Sequence, residues 1–243
     1  MGALTFEHRT QSRSSTQSFS RGSYYYFLAA LVMLTMSSQT LAAGQQKIPD
    51  YETARGIFWN QLYNKGGISL YCGRQFKGRR HRGLNIEHVF PMSWVTKALR
   101  CGDRQQCRNR NRQFNRIEGD LHNLYPALIY INKARSSFPF AMIAGEKRRF
   151  RRCDFEVNEY KRVAEPRPAV RGNIARAIFY MSYTYRLPLY RKQMNLLLKW
   201  HQQDPPDREE KRRNMVIGKL EGVRNPFIDR PAAARRMITN VRY

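Results

Sequence analysis

The run Leu84-Asn85-Ile86-Glu87-His88-Val89-Phe90-Pro91 constrains the chain more than any other stretch. It sets a carboxylate and an imidazole side by side in an otherwise apolar, strand-like segment. A buried Glu or His without a partner is costly, so a fold that contains this run must bring polar groups to both. Neighbouring strand residues point to opposite sides. A direct Glu87–His88 hydrogen bond is therefore not expected, and the pair suits a site with two poles. Phosphodiester hydrolysis has two: a water is deprotonated on one side of phosphorus and the leaving 3′ oxygen is stabilised on the other. A neutral His, with an ordinary pKa of about 6.5, can take the water proton. A carboxylate one position away can hold a hard cation against the leaving oxygen.

The second half of such a site is expected from Asp120-Leu121-His122-Asn123-Leu124 and from Asn132, which interrupts an apolar run. One Glu and one Asn amide oxygen suffice for a magnesium-like ion, which keeps several waters. Arg135, three residues on, shares a helical face with Asn132. Taken singly, His88 also reads as a hydrogen-bonded core histidine and Asn132 as a polar residue satisfied by backbone. The constellation is more specific than its parts.

Charge narrows the partner. Across 243 residues, 44 Lys and Arg stand against 18 Asp and Glu, a formal +26, which biases the chain toward nucleic acid, anionic lipid or acidic polysaccharide. The apolar content of 42% is enough for a core, and the mean hydropathy of −0.68 excludes a polytopic membrane protein. Residues 1–43 read as a secretory signal peptide: Arg9, Arg13 and Arg21 precede the apolar run 24–36, and Ala42 and Ala43 form a small-residue exit. A retained anchor is the alternative reading. Removing the leader takes away those three Arg and Glu7 and leaves +24, so the charge belongs to the domain expected over residues 44–243. Export to the periplasm or medium also suits Cys72, Cys101, Cys107 and Cys153, an even number in a compartment where disulfides persist. Of the three pairings, Cys101–Cys107 with Cys72–Cys153 is favoured. Zinc is the rival explanation, but no CxxC or HxxxH spacing supports it.

The remaining pattern predicts one α+β, helix-rich domain. A helix is expected over 48–65, ended by Gly66-Gly67. The runs 68–76 and 83–90 are expected to pair as a hairpin about the basic loop 77–82. The Arg-rich tract 100–116 is too polar for core and reads as a long surface loop. Residues 121–133 are expected to be helical after Pro126, and helices are expected over 171–186, 189–203 and 208–220, the last capped by Asp207.

At these residues the chain resembles the bacterial endonuclease I family, exported non-specific nucleases with a ββα-metal (His-Me) finger. The resemblance is carried by LYCG at 70–73, IEHVFPMSW at 86–94, GDLHNLYP at 119–126, Asn132, AEP at 164–166, RGNIARAIFYM at 171–181 and NPF at 225–227. It implies that His88 is the general base and that Glu87 and Asn132 bind the catalytic cation, magnesium, with manganese or calcium as substitutes. It also implies that an arginine of the Cys-bounded segment stabilises the phosphate. Arg104 matches that position best, with Arg100 and Arg108 as alternatives; Arg100, Arg108 and Arg135 are expected to contact nucleic acid. The implied activity is sequence-non-specific cleavage of DNA and RNA by a monomer, leaving 5′-phosphates. A non-catalytic polyanion-binding protein on the same fold is the rival.

Overall fold

The computed structural model describes Gly2 and residues 44–78, 83–145 and 149–239. The leader expected over 1–43 and most of the basic loop expected over 77–82 lie outside the described residues. Helix α1 (Tyr51–Ile57) begins where the Asp50 carboxylate accepts from the Thr53 amide at 2.8 Å, and it runs on through a π-helical turn, Phe58–Leu62. Ala54, Phe58 and Leu62, spaced by four, form its buried face.

Two short strands follow, β1 (Gly66–Ile68) and β2 (Gln75–Lys77), antiparallel to each other. The expected pairing of 68–76 with 83–90 does not occur. Strand β3 (Leu84–His88) instead pairs with β4 (Leu124–Leu128), in the antiparallel register Ile86↔Pro126 and His88↔Leu124. A fully apolar β4, buried at every position, is a better cover for β3 than the half-exposed β2.

Between β3 and β4 lie α2 (Met92–Leu99), α3 (Arg104–Arg110) and α4 (Arg112–Glu118). The tract expected as a loop is thus two short helices. Asp103 accepts from the Gln106 amide while the Gln106 side chain accepts from the Asp103 amide, a complete capping box. Asn111 caps α4, whose Phe114 and Ile117 are fully buried. Gly119 closes α4 where an added Cβ would sit 2.9 Å from the Asp50 carbonyl, so only glycine lets α4 pass the start of α1.

A 3₁₀ turn, Leu121–Asn123, leads into β4, and α5 (Ile129–Arg135) follows without a loop. Residues 127 and 128, expected as helix after Pro126, are extended because they complete the β3 ladder. Strands β5 (Phe155–Asn158) and β6 (Val163–Pro166) form a third antiparallel pair. The C-terminal part is helical as expected: α6 (Arg171–Tyr185), α7 (Arg191–Gln203) and α8 (Arg208–Glu221), then α9 (Pro226–Asp229) and α10 (Ala234–Thr239). Asp207 caps α8 through the Glu210 amide at 2.7 Å.

Helix α6 is buried almost all round, which makes it the centre of the main core. A smaller core joins α1, Ile86, Leu121, Leu124 and Ile217. The disulfides are Cys72–Cys153 and Cys101–Cys107, the favoured pairing. The architecture is α+β, helices with three small antiparallel sheets, and residues from Gly44 onward belong to one compact unit. Among the described residues, no helix is long and apolar enough to cross a membrane.

Candidate active site

A cavity of about 660 Å³ opens at the end of β3, bordered by Glu87, His88, Asn132, Arg104, Arg108 and Tyr51, among others. Strand geometry sends the two central side chains to different partners. Glu87, 3% exposed, accepts from the Tyr71 hydroxyl at 2.6 Å and lies 3.3 Å from Arg135 Nη1, both on Oε1. Burial raises its pKa, while Arg135 and Tyr71 pull it back toward the ionised form. Burial also raises the Tyr71 phenol well above its ordinary value, so it remains a donor.

His88 lies across the strand. Its Nε2 is 3.0 Å from the Glu118 carbonyl. A carbonyl can only accept, so Nε2 carries the proton and the neutral ring keeps its lone pair on Nδ1. Burial, reinforced by the Arg104 charge, lowers the His88 pKa to about 4, which leaves the ring neutral at pH 7. The Tyr51 ring packs against it at 5.2 Å. Asn123 fixes the backbone beyond β3: its side chain accepts from the Phe90 amide at 2.7 Å and donates to the Phe90 carbonyl at 3.0 Å.

Asn132 donates through Nδ2 to Asn85 Oδ1 at 3.0 Å and to the Ile86 carbonyl at 3.2 Å. The carbonyl decides the amide orientation, and Oδ1 is the atom left for another partner. Glu118, 1% exposed, organises the cationic wall. Arg108 grips both of its oxygens, at 2.8 and 2.9 Å, whereas Arg104 touches it only through Nε, at 2.5 Å. Both guanidinium groups lie over Tyr51, at 5.7 Å for Arg104 and 5.4 Å for Arg108.

The structure therefore brings His88, Glu87, Asn132, Arg104 and Arg108 to one cavity. Arg100 is exposed at the left-handed end of α2 and does not border it. Arg135, expected to contact nucleic acid, is 1% exposed; its Nη atoms donate to the His88 and Val89 carbonyls and lie beside Glu87. It braces β3 from below. Asp120 and His122, expected in the site, turn away into a separate buried cluster. Asp120 accepts from Tyr180 and Tyr185, and His122 Nε2 meets the Val223 carbonyl at 3.0 Å. Tyr71 stands in the LYCG segment and Glu118 directly before GDLHNLYP, but the sequence assigns neither position a role in the site, since each reaches it from another part of the chain.

The sequence matches the Endonuclease I family over residues 20–232. The chain belongs to the endonuclease I family. Membership makes it a nuclease, an enzyme acting on phosphodiester bonds. A periplasmic deoxyribonuclease of Aeromonas hydrophila is 38% identical over 226 residues, covering 82% of this chain and 95% of the relative. An extracellular deoxyribonuclease of the same organism is 32% identical over 229 residues, covering 84% and 96%. An extracellular ribonuclease of Bacillus amyloliquefaciens is 35% identical over 130 residues, covering 46% and 44%. Among the described residues of this endonuclease I family member, no three His, Cys, Asp or Glu side chains form a metal cage. Glu87 and Asn132 nonetheless offer a carboxylate and an amide oxygen on one cavity, a set of hard oxygen donors that fits a cation retaining most of its waters.

Proposed function

We propose that the protein is an exported, magnesium-dependent, sequence-non-specific endonuclease. It hydrolyses DNA and RNA, with His88 as general base, and leaves 5′-phosphates. Residues 1–43 are its signal peptide, residues 44–243 its catalytic domain, and it works in the periplasm or medium as a monomer. In this reading β3, β4 and α5 are the ββα-metal finger. Manganese or calcium could take the place of magnesium on the same donors.

The observation that carries the reading is the Nε2 bond from His88 to the Glu118 carbonyl. It fixes the tautomer in which Nδ1 is a base, beside a wall of arginines and a pair of oxygen donors. Nδ1 takes the proton of the attacking water, and the Glu118 carbonyl holds the imidazolium that results. Arg104, whose Nη atoms Glu118 does not engage, donates to phosphate oxygens as their charge grows. Glu87 and Asn132 hold the cation, which when bound stabilises charge on the leaving oxygen. Arg135 and Tyr71 keep the Glu87 carboxylate in place. Contacts to phosphate do not read bases, which suits cleavage without sequence preference.

The test is circular plasmid incubated with the mature protein, with magnesium or with chelator, beside His88→Ala. Cleavage that needs the cation and falls by about 10²- to 10⁴-fold in the variant is expected. Undiminished cleavage by His88→Ala sinks the mechanism. Binding without cleavage under every divalent cation leaves the polyanion-binding alternative. A first residue near Ala43 or Gly44 in the exported protein checks the leader.

A further inference from the structure

The Cys72–Cys153 disulfide borders a second cleft, of about 960 Å³, that the reaction above does not use. Arg74, Arg149, Arg151 and Arg152 line it, with the rings of Tyr130 and Phe150 among them. Tyr130 is 52% exposed, a large ring that folding has left in water. It is not loose. Its centroid lies 6.3 Å from Phe150, Phe150 lies 6.1 Å from Phe155, and Phe155 lies 4.7 Å from Tyr71, the phenol that holds Glu87.

The arginines are held as firmly at the backbone. The Cys153 amide donates to the Phe150 carbonyl at 3.1 Å, Arg151 turns the chain with φ 55°, and the disulfide ties the segment to Cys72. Arg149 is paired with Glu159 at 2.7 Å and lies over the Phe150 ring. Arg74, Arg151 and Arg152 are exposed and form no ion pair with a described residue.

The location matters as much as the composition. Tyr130 and Asn132 both belong to α5, and two residues turn a helix by roughly 200°. The second cleft therefore lies on the opposite face of α5 from Asn132, a helix diameter of about 10 Å away. One strand leaving the cavity can reach it.

We propose that this cleft binds an unpaired stretch of the nucleic-acid strand, with a base stacked on Tyr130 and phosphates against Arg74, Arg151 and Arg152. A surface that meets only phosphate has no use for an exposed ring wedged among cations. In a duplex each base face is covered by its neighbours, so only an unpaired base can lie on the tyrosine. The proposal rests on the nuclease reading only for the fate of the strand.

The test is binding under chelator, so that nothing is cut, read by fluorescence anisotropy. The probes are a labelled single-stranded DNA oligonucleotide and the duplex of the same sequence, with the intact protein. Tyr130→Ala should weaken binding of the single strand by roughly 5- to 150-fold and that of the duplex far less, and Tyr130→Phe should retain it. The double variant Arg151→Ala/Arg152→Ala should flatten the dependence of log affinity on log salt by about 0.7 per arginine for the single strand. Thermal unfolding checks that each variant folds; if Tyr130→Ala does not, the arginine pair carries the test. Equal loss for duplex and single strand, or no loss for the single strand, overturns the proposal. Plasmid cleavage measured alongside separates the two ideas: no cutting by the wild type removes the nuclease reading alone.

Discussion

At the residue scale, Glu118 divides two adjacent arginines into different tasks. Arg108 uses Nε and Nη2 on the two carboxylate oxygens, while Arg104 uses Nε alone and is the more exposed, 47% against 32%. A guanidinium with its terminal nitrogens uncommitted is the one able to clamp a phosphate oxygen pair. Arg104→Ala should therefore lower kcat by about 10²- to 10³-fold with little change in melting temperature. Arg104→Lys should not restore it, because a single ammonium lacks the fork. Arg108→Ala should cost less in kcat and more in stability, since it leaves the buried Glu118 short of a partner. Equal kcat losses in steady-state assays would remove the distinction. The Glu87-His88 pair and Asn132 were legible because an acid, a base and an amide interrupt apolar runs. Tyr71 and Glu118 were not. Tyr71 stands in the LYCG segment, but nothing local pairs it with Glu87, and Glu118 acts partly through a backbone carbonyl that carries no side-chain signature.

At the scale of elements, local signals succeeded and non-local pairing failed. The helices of the last third follow from apolar spacing and from Asp207, both contained within a few turns of chain. The partner of β3 lies some 40 residues away, across three helices, and no local pattern names it. Asp103-x-x-Gln106 was a readable capping box hidden by its arginines. The two disulfides restrain these non-local pieces unequally. Cys72–Cys153 spans a separation of 81 residues and Cys101–Cys107 one of 6. Chain-entropy arguments give about 4–5 kcal/mol for the first and about 2 kcal/mol for the second. Replacing Cys72 and Cys153 together by Ala should thus lower the melting temperature roughly twice as far as replacing Cys101 and Cys107. It should also free the segment bearing Arg151 and Arg152. Calorimetry of the two double variants checks the order, and a reversed order would show that the short bridge holds the site wall rather than the unfolded chain.

At the scale of the whole molecule, the +24 of formal charge over residues 44–243 must be folded around buried groups that respond oppositely to protons. His122 sits in the cluster formed by Asp120, Glu221, Tyr180 and Arg213, with Arg224 and Asp229 near enough to act on it. Burial lowers its pKa from 6.5 to about 3, and the Val223 carbonyl only partly offsets this. The unfolded imidazole therefore binds a proton that the folded one refuses between these values. The unfolded state gains, and the contribution of His122 to stability, complete above pH 6.5, falls as pH drops through this window. Asp120 and Glu221, which share the cluster, run the other way: burial raises both, so their protonated forms favour the fold at low pH and that gain is lost as pH rises. The opposed responses flatten the total, so a single wild-type curve would conceal both. His122→Gln removes one of them and keeps a donor for Val223. The urea midpoint of the wild type minus that of the variant should then shrink steadily from pH 7 to pH 4. A difference independent of pH would mean that His122 is solvated in the folded state and carries no such penalty.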